Sequence, residues 1–156
     1  MADRSFVARN AESRARLTAL LDRLGPMDFS RDVGGGWSAG SLLAHISFWD
    51  GLVIERWKLA LRTGMATPIG LDEELPDLIN AAAMPSWRLV ARTEVASLVG
   101  ATAAAVDELV AALPDDSLDG IEREGRPRLL DRSLHRAEHL AMIEAAVAPG
   151  RGTGQD

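Results

Sequence analysis

A chain of 156 residues has the length of one domain, and 47% apolar residues are enough for an ordinary core. Its 17 Lys and Arg against 23 Asp and Glu leave a net charge of -6, with no basic cluster able to track a phosphate backbone, so no nucleic-acid partner is expected. There is no cysteine, which excludes disulfides, thiolate metal ligands and an internal sulfur nucleophile; thiol chemistry would need a thiol from outside. Charges are scattered through the first nine residues and no later apolar run reaches membrane-spanning length, so a cytoplasmic protein with no membrane partner is expected.

Alternating strand patterns are absent, there is no tyrosine, and Ala, Leu, Arg and Glu dominate, so the predicted class is all-α. The first helix is predicted over residues 4–24, with Leu17, Leu20, Leu21 and Leu24 at i, i+3, i+4 and i+7 and Gly25-Pro26 closing it. Ser38 can cap the second helix while Trp37 packs on Leu42 as a hydrophobic staple, which fixes its register. That helix continues to Thr63-Gly64 with Leu42, Ile46, Trp49, Val53 and Ala60 on its inner face. A loop and a short helix follow over 71–87, interrupted by Pro76 and Pro85.

The third long helix is predicted over 93–113, where Val95, Leu98, Val99, Thr102, Val106, Leu109, Val110 and Leu113 keep helical spacing and Pro114 closes the run. Residues 115–126 read as a polar connection with two glycines among acidic residues. Pro127, a favoured first helical residue, opens a last helix that ends near Val147, before Pro149-Gly150. Four long amphipathic helices with modest connections read as a four-helix bundle over 1–148, followed by a flexible tail over 149–156.

The chain holds three histidines. His135 and His139 are four apart on the last helix, on one face and about 6 Å apart, a spacing at which two imidazoles can converge on one ion. By itself that pair is more readily a solvated face or a pair of hydrogen-bonded side chains. His45 adds weight, because Leu42, Ile46 and Trp49 flank it on the apolar stripe of the second helix and its ring should point into the bundle. Its ordinary reading is a core histidine with one hydrogen bond. A bundle readily brings such positions together, and three neutral imidazoles leave a divalent ion its full charge and an open fourth position, as in catalytic sites.

The run Gly36-Trp-Ser-Ala-Gly-Ser-Leu-Leu-Ala-His45-Ile-Ser-Phe-Trp-Asp50 resembles the DinB-like (DinB/YfiT) superfamily, in which a Trp-Ser helix start precedes a histidine two turns in. Leu134-His135-Arg-Ala-Glu-His139-Leu-Ala-Met-Ile-Glu144 is similar to that family's C-terminal helix with its second and third ligands, and the stretch around Pro76 to Asn80 is also similar. The resemblance covers nearly the whole domain. It implies an up-down-down-up four-helix bundle, often a homodimer, with a three-histidine site for zinc or nickel formed by His45, His135 and His139. Relatives include enzymes that use mycothiol or bacillithiol, among them a maleylpyruvate isomerase and thiol S-transferases.

The resulting expectation is a metal-dependent enzyme that activates an external low-molecular-weight thiol for S-transfer to a small electrophilic substrate. One alternative is a hydrolase using metal-bound water, for which Glu138 is the candidate catalytic base; its ordinary reading is a helix carboxylate paired with nearby arginines. His135-Arg-Ala-Glu-His139 also matches the inverted zinc-peptidase pattern, but only 17 residues follow His139, too few to supply that family's downstream carboxylate ligand. Outside enzymology, the chain could be a stress-associated metal- or ligand-binding protein. Trp49 and Asn80 are candidate pocket residues, and Arg132 and Arg136 are candidates to hold an anionic substrate, their ordinary reading being solvated helix charge. Trp57 and Leu61 are the apolar residues expected at a dimer interface.

Overall fold

The computed structural model describes residues 2–148. Six α-helices carry the fold: α1 (Ser5–Arg23), α2 (Ala39–Thr63), α3 (Leu75–Trp87), α4 (Arg92–Ala111), α5 (Asp115–Arg123) and α6 (Ser133–Val147). Two 3-10 turns, Asp28–Ser30 and Pro127–Leu129, and a small antiparallel ribbon of β1 (Asp32–Gly34) and β2 (Trp37–Ser38) complete it. No single helix among the described residues is long and apolar enough to cross a membrane.

The start of α2 is built as its sequence predicts, with one addition. Ser41 N donates to Ser38 Oγ at 3.1 Å and Ser38 N donates to Ser41 Oγ at 2.9 Å, a reciprocal capping box in which serine stands where Glu or Gln is usual. Trp37 and Leu42 belong to one apolar cluster, as the staple requires. Gly34, Gly35 and Gly36 take φ of 96°, 60° and 78°, a run only glycine adopts without strain, and it turns the ribbon so that Trp37 enters the bundle. Gly64, at φ 71°, closes the helix in the left-handed region, where the sequence placed its end.

The core has two apolar layers. One joins Leu17 and Leu20 of α1, Leu42, Leu43 and Ile46 of α2, Val95 and Val99 of α4, and Leu140 and Ile143 of α6. The other joins Phe6 of α1, Val53, Trp57 and Ala60 of α2, Val106 and Val110 of α4, Leu118 and Ile121 of α5, and Leu129 and Leu130. The late turns of α1 and α6 thus share a layer with the early turns of α2 and α4, which is compatible with an up-down-down-up path.

Three expectations are corrected. Residues 115–126 are mostly helical rather than a connection: Asp115 and Asp116 favour the helix N-terminus by their charge, and Leu118 and Ile121, three apart, bury one face. Gly120 reflects close approach, since a Cβ there would stand 2.6 Å from Thr67 Cγ2. Pro127 opens a 3-10 turn rather than the last helix, which begins at Ser133. Trp57 is 0% exposed and donates from Nε1 to Leu129 O at 2.9 Å, so it anchors that turn and is unavailable to a dimer interface; Leu61 is exposed. The tail expected over 149–156 lies outside the described residues.

Candidate metal centre

Two elements deliver the three histidines. His45 lies in the second turn of α2, whose register the capping box fixes. His135 and His139 occupy successive turns at the start of α6. α6 lacks a side-chain cap from its own N-cap residue, Arg132; instead, buried Asn10 of α1 accepts from Ser133 N at 3.0 Å and donates from Nδ2 to Leu130 O at 2.8 Å. One buried amide therefore sets where α6 begins, and with it the height of both histidines.

The three Nε2 atoms form a triangle with every side 3.1 Å. His45 and His135 are buried and His139 is half-buried. Burial, aided by the neighbouring His139 and Arg132, lowers the His45 pKa from 6.5 to about 3. Burial first, then Arg132 and the other histidines, holds His135 far below its usual value, and burial lowers His139 against the opposing pull of Glu138. At neutral pH the three rings are therefore uncharged.

An uncharged ring nitrogen either donates or accepts. With three atoms and two roles, at least two must share a role, so at least one 3.1 Å side sets donor against donor or lone pair against lone pair. Hydrogen bonding alone cannot satisfy this triangle. A cation facing three lone pairs can, and nitrogens 3.1 Å apart can each stand about 2.1 Å from one ion, the ordinary distance for imidazole on zinc. The donor set fits a divalent metal.

The sequence model of the DinB superfamily matches residues 9–143. The chain belongs to the DinB superfamily. Comparison with curated proteins and with solved structures gave no match. In this DinB-superfamily chain the triad stands at the wall of a cavity of about 800 Å³, lined also by Trp37, Trp49, Asn80, Glu138 and Met142. The Trp37, Trp49 and Trp87 rings surround His45 at centroid distances of 5.1, 6.2 and 5.3 Å. Asn80 accepts from Trp49 Nε1 at 2.9 Å, joining α3 to α2 across the cavity. Both pocket candidates, Trp49 and Asn80, thus line it. Asn80 also lies near enough to His45 to favour its protonated form, although His45 Nδ1 has no partner in hydrogen-bonding geometry.

Glu138 lines the cavity too, with a side chain 60% exposed and a 3.7 Å ion pair to Arg128. The two arginine candidates are corrected. Neither is solvated: Arg136 is 0% exposed, turned from both ligand positions into the core, and it does not line the cavity. Arg132 lines the cavity but is buried, its Nε donating to Asp50 Oδ1 at 2.8 Å and its Nη2 lying 3.3 Å from His135 Nδ1.

Beneath the triad lies an ionic network that sequence reasoning missed. Fully buried Asp50 receives Arg132 on one carboxylate oxygen and Arg136, at 3.0 Å, on the other; Arg136 also donates to Asp107 at 2.9 Å. Burial raises the Asp107 pKa, and burial of Arg136 is outweighed by Asp50 and Asp107, which raise its own. A signal existed. Asp50 is four residues from Ile46 and three from Val53, and Arg136 is four from Leu140 and seven from Ile143, so each charge sits on an apolar stripe where it must be paired.

Proposed function

We propose that this protein is a metal-dependent enzyme in which His45, His135 and His139 hold one divalent ion, zinc or nickel, and an external low-molecular-weight thiol is transferred to a small electrophilic substrate in the adjoining cavity. The observation that carries the reading is the triangle of three uncharged nitrogens, which their mutual hydrogen bonds cannot satisfy and a cation can, at the wall of a cavity large enough for small molecules. The ion would supply a charge that lowers the thiol pKa towards neutrality. The chain has no cysteine, so the nucleophile comes from outside.

In this reading Glu138, on the turn that carries His135 and His139, accepts the proton the thiol loses, and the sulfur forms its new bond to carbon as the electrophile's leaving group or ring bond departs with the electron pair. Trp37 and Trp49 wall the site against water, and Asn80 holds the Trp49 indole in place. A cytoplasmic location would place the protein among such thiols. We further propose a homodimer whose interface includes Leu61 and neighbouring Leu59, both exposed late on α2.

The test is thiol consumption by the zinc- or nickel-loaded protein against a panel of small electrophiles, read as loss of free thiol. Metal-dependent consumption that disappears in His139→Ala is expected. Ester turnover with no thiol present would replace S-transfer by hydrolysis.

A further inference from the structure

Charge is distributed unevenly in this acidic chain. The cavity is lined by four arginines, Arg56, Arg126, Arg128 and Arg132, against two carboxylates, Asp77 and Glu138. Most of these cations are answered nearby: Arg132 by Asp50, Arg128 by Glu138, Arg126 by Glu124. Among the described residues Arg56 is the exception. Its Nη2 donates to the Ile69 carbonyl, its Nε is buried without a partner, and the charges that act on it are the cations Arg126 and Arg132. Arg126 Nη1 is likewise buried and unpartnered, although Nη2 reaches Pro68 O at 2.8 Å and Glu124.

Two guanidiniums that line one cavity and repel each other, Arg56 with no carboxylate partner among the described residues, are stabilised by an oxyanion between them. His45, Trp49 and Arg56 follow at i, i+4 and i+11 on α2, which carries Arg56 about 16 Å along the helix axis from His45 on the same cavity wall. Arg132 lies between, acting on both Arg56 and His135.

We propose that Arg56 and Arg126 form an oxyanion subsite at the end of the cavity remote from the histidine triad, which takes the carboxylate of an elongated small molecule whose other end reaches the triad. This deepens the reading of the cavity as a metal-dependent thiol-transfer site and rests on it. The carboxylate belongs either to the electrophile or to the thiol; the chemistry recognised is the same.

Tryptophan emission reports on the cavity through Trp37 and Trp49, and succinate serves as the probe. Quenching or enhancement should saturate with succinate in the zinc-loaded protein, and Arg56→Gln should weaken the affinity about tenfold or more. Arg56→Lys should recover part of it, and Arg126→Gln should also weaken it. Arg62→Gln, outside the cavity lining, should change nothing. Helical circular dichroism of each variant identifies one that fails to fold, and Arg56→Lys then decides by its loss of a bidentate partner.

Competition assigns the source. Glutathione that displaces succinate places the carboxylate on the thiol, and glutathione that binds alongside it places the carboxylate on the electrophile; either supports the subsite. Absence of succinate binding, or equal affinity in folded wild type and Arg56→Gln, would overturn it. Metal analysis after reconstitution separates the two proposals: Arg56-dependent succinate binding in a protein that retains no zinc or nickel would sink the enzyme reading alone, and a metal-retaining protein indifferent to Arg56 would sink the subsite alone.

Discussion

Replacing Asp50 by Asn is a test of how the site is supported. Asp50 is 0% exposed and is the one carboxylate shared by Arg132 at 2.8 Å and Arg136 at 3.0 Å. Asn keeps the shape and removes the charge. Arg136 would retain Asp107, but Arg132, itself buried, would lose its ion-pair partner while facing His135. Removing one member of a buried ionic network costs about 3–5 kcal/mol, about a fifth or more of the stability of a typical domain.

In urea, with a slope of about 2 kcal/mol/M, the unfolding midpoint of metal-free Asp50→Asn should fall by about 1.5–2.5 M. Arg16→Ala, which removes the half-exposed pair to Glu144, should cost less than about 1 kcal/mol and serves as the comparison. Because Arg132 touches His135, zinc affinity of Asp50→Asn should also drop about 10–100-fold. Similar midpoints for Asp50→Asn and Arg16→Ala would refute the view that this network holds α2 and α6 together under the triad.

Acid should destabilise the metal-free protein specifically through its histidines. The His45 pKa is about 3 when folded and about 6.5 when unfolded, so the unfolded chain binds the extra proton between those values; stability is undiminished above pH 6.5 and falls as pH drops towards 3, by about 2 kcal/mol at pH 5. Urea midpoints of chelator-treated protein at pH 7.5 and pH 5 measure this, and a smaller difference is expected in His45→Gln. Glu138→Gln should lower the rate of thiol transfer at neutral pH with metal content unchanged, because Glu138 is exposed beside the triad; an unchanged rate would remove it as the proton acceptor. Sedimentation should give a dimer for wild type and a weaker one for Leu61→Asp, whereas a monomer at micromolar concentration would dispose of the α2 interface.

Much of the bundle was legible because its signals are local. The Trp37-Ser38 start, the stripe through Leu42, Ile46 and Val53, and the stop at Gly64 each depend on residues within one or two turns, and the structure has all three. The histidine site was legible for a related reason, since i, i+4 spacing and an inward position are periodic properties. What escaped depends on pairing across the chain. Asn10 sets the start of α6 from 123 residues away, and Arg136 looks like helix-surface charge until Asp50 and Asp107 are seen to face it. α5 was missed because its acidic residues and glycine suggest a loop, whereas Leu118 and Ile121 bury a face against elements from elsewhere in the sequence.

The central claim is that three uncharged imidazoles converge because an ion binds them. Metal content of purified protein, reconstituted with zinc or nickel and freed of loose ions, tests it most directly. About one ion per wild-type chain is expected, with none retained by His139→Ala, whose helical circular dichroism should stay near that of wild type because α2 has its own capping box and apolar stripe. A wild-type chain that retains no metal, or a His139→Ala chain that retains as much as wild type, would contradict the account.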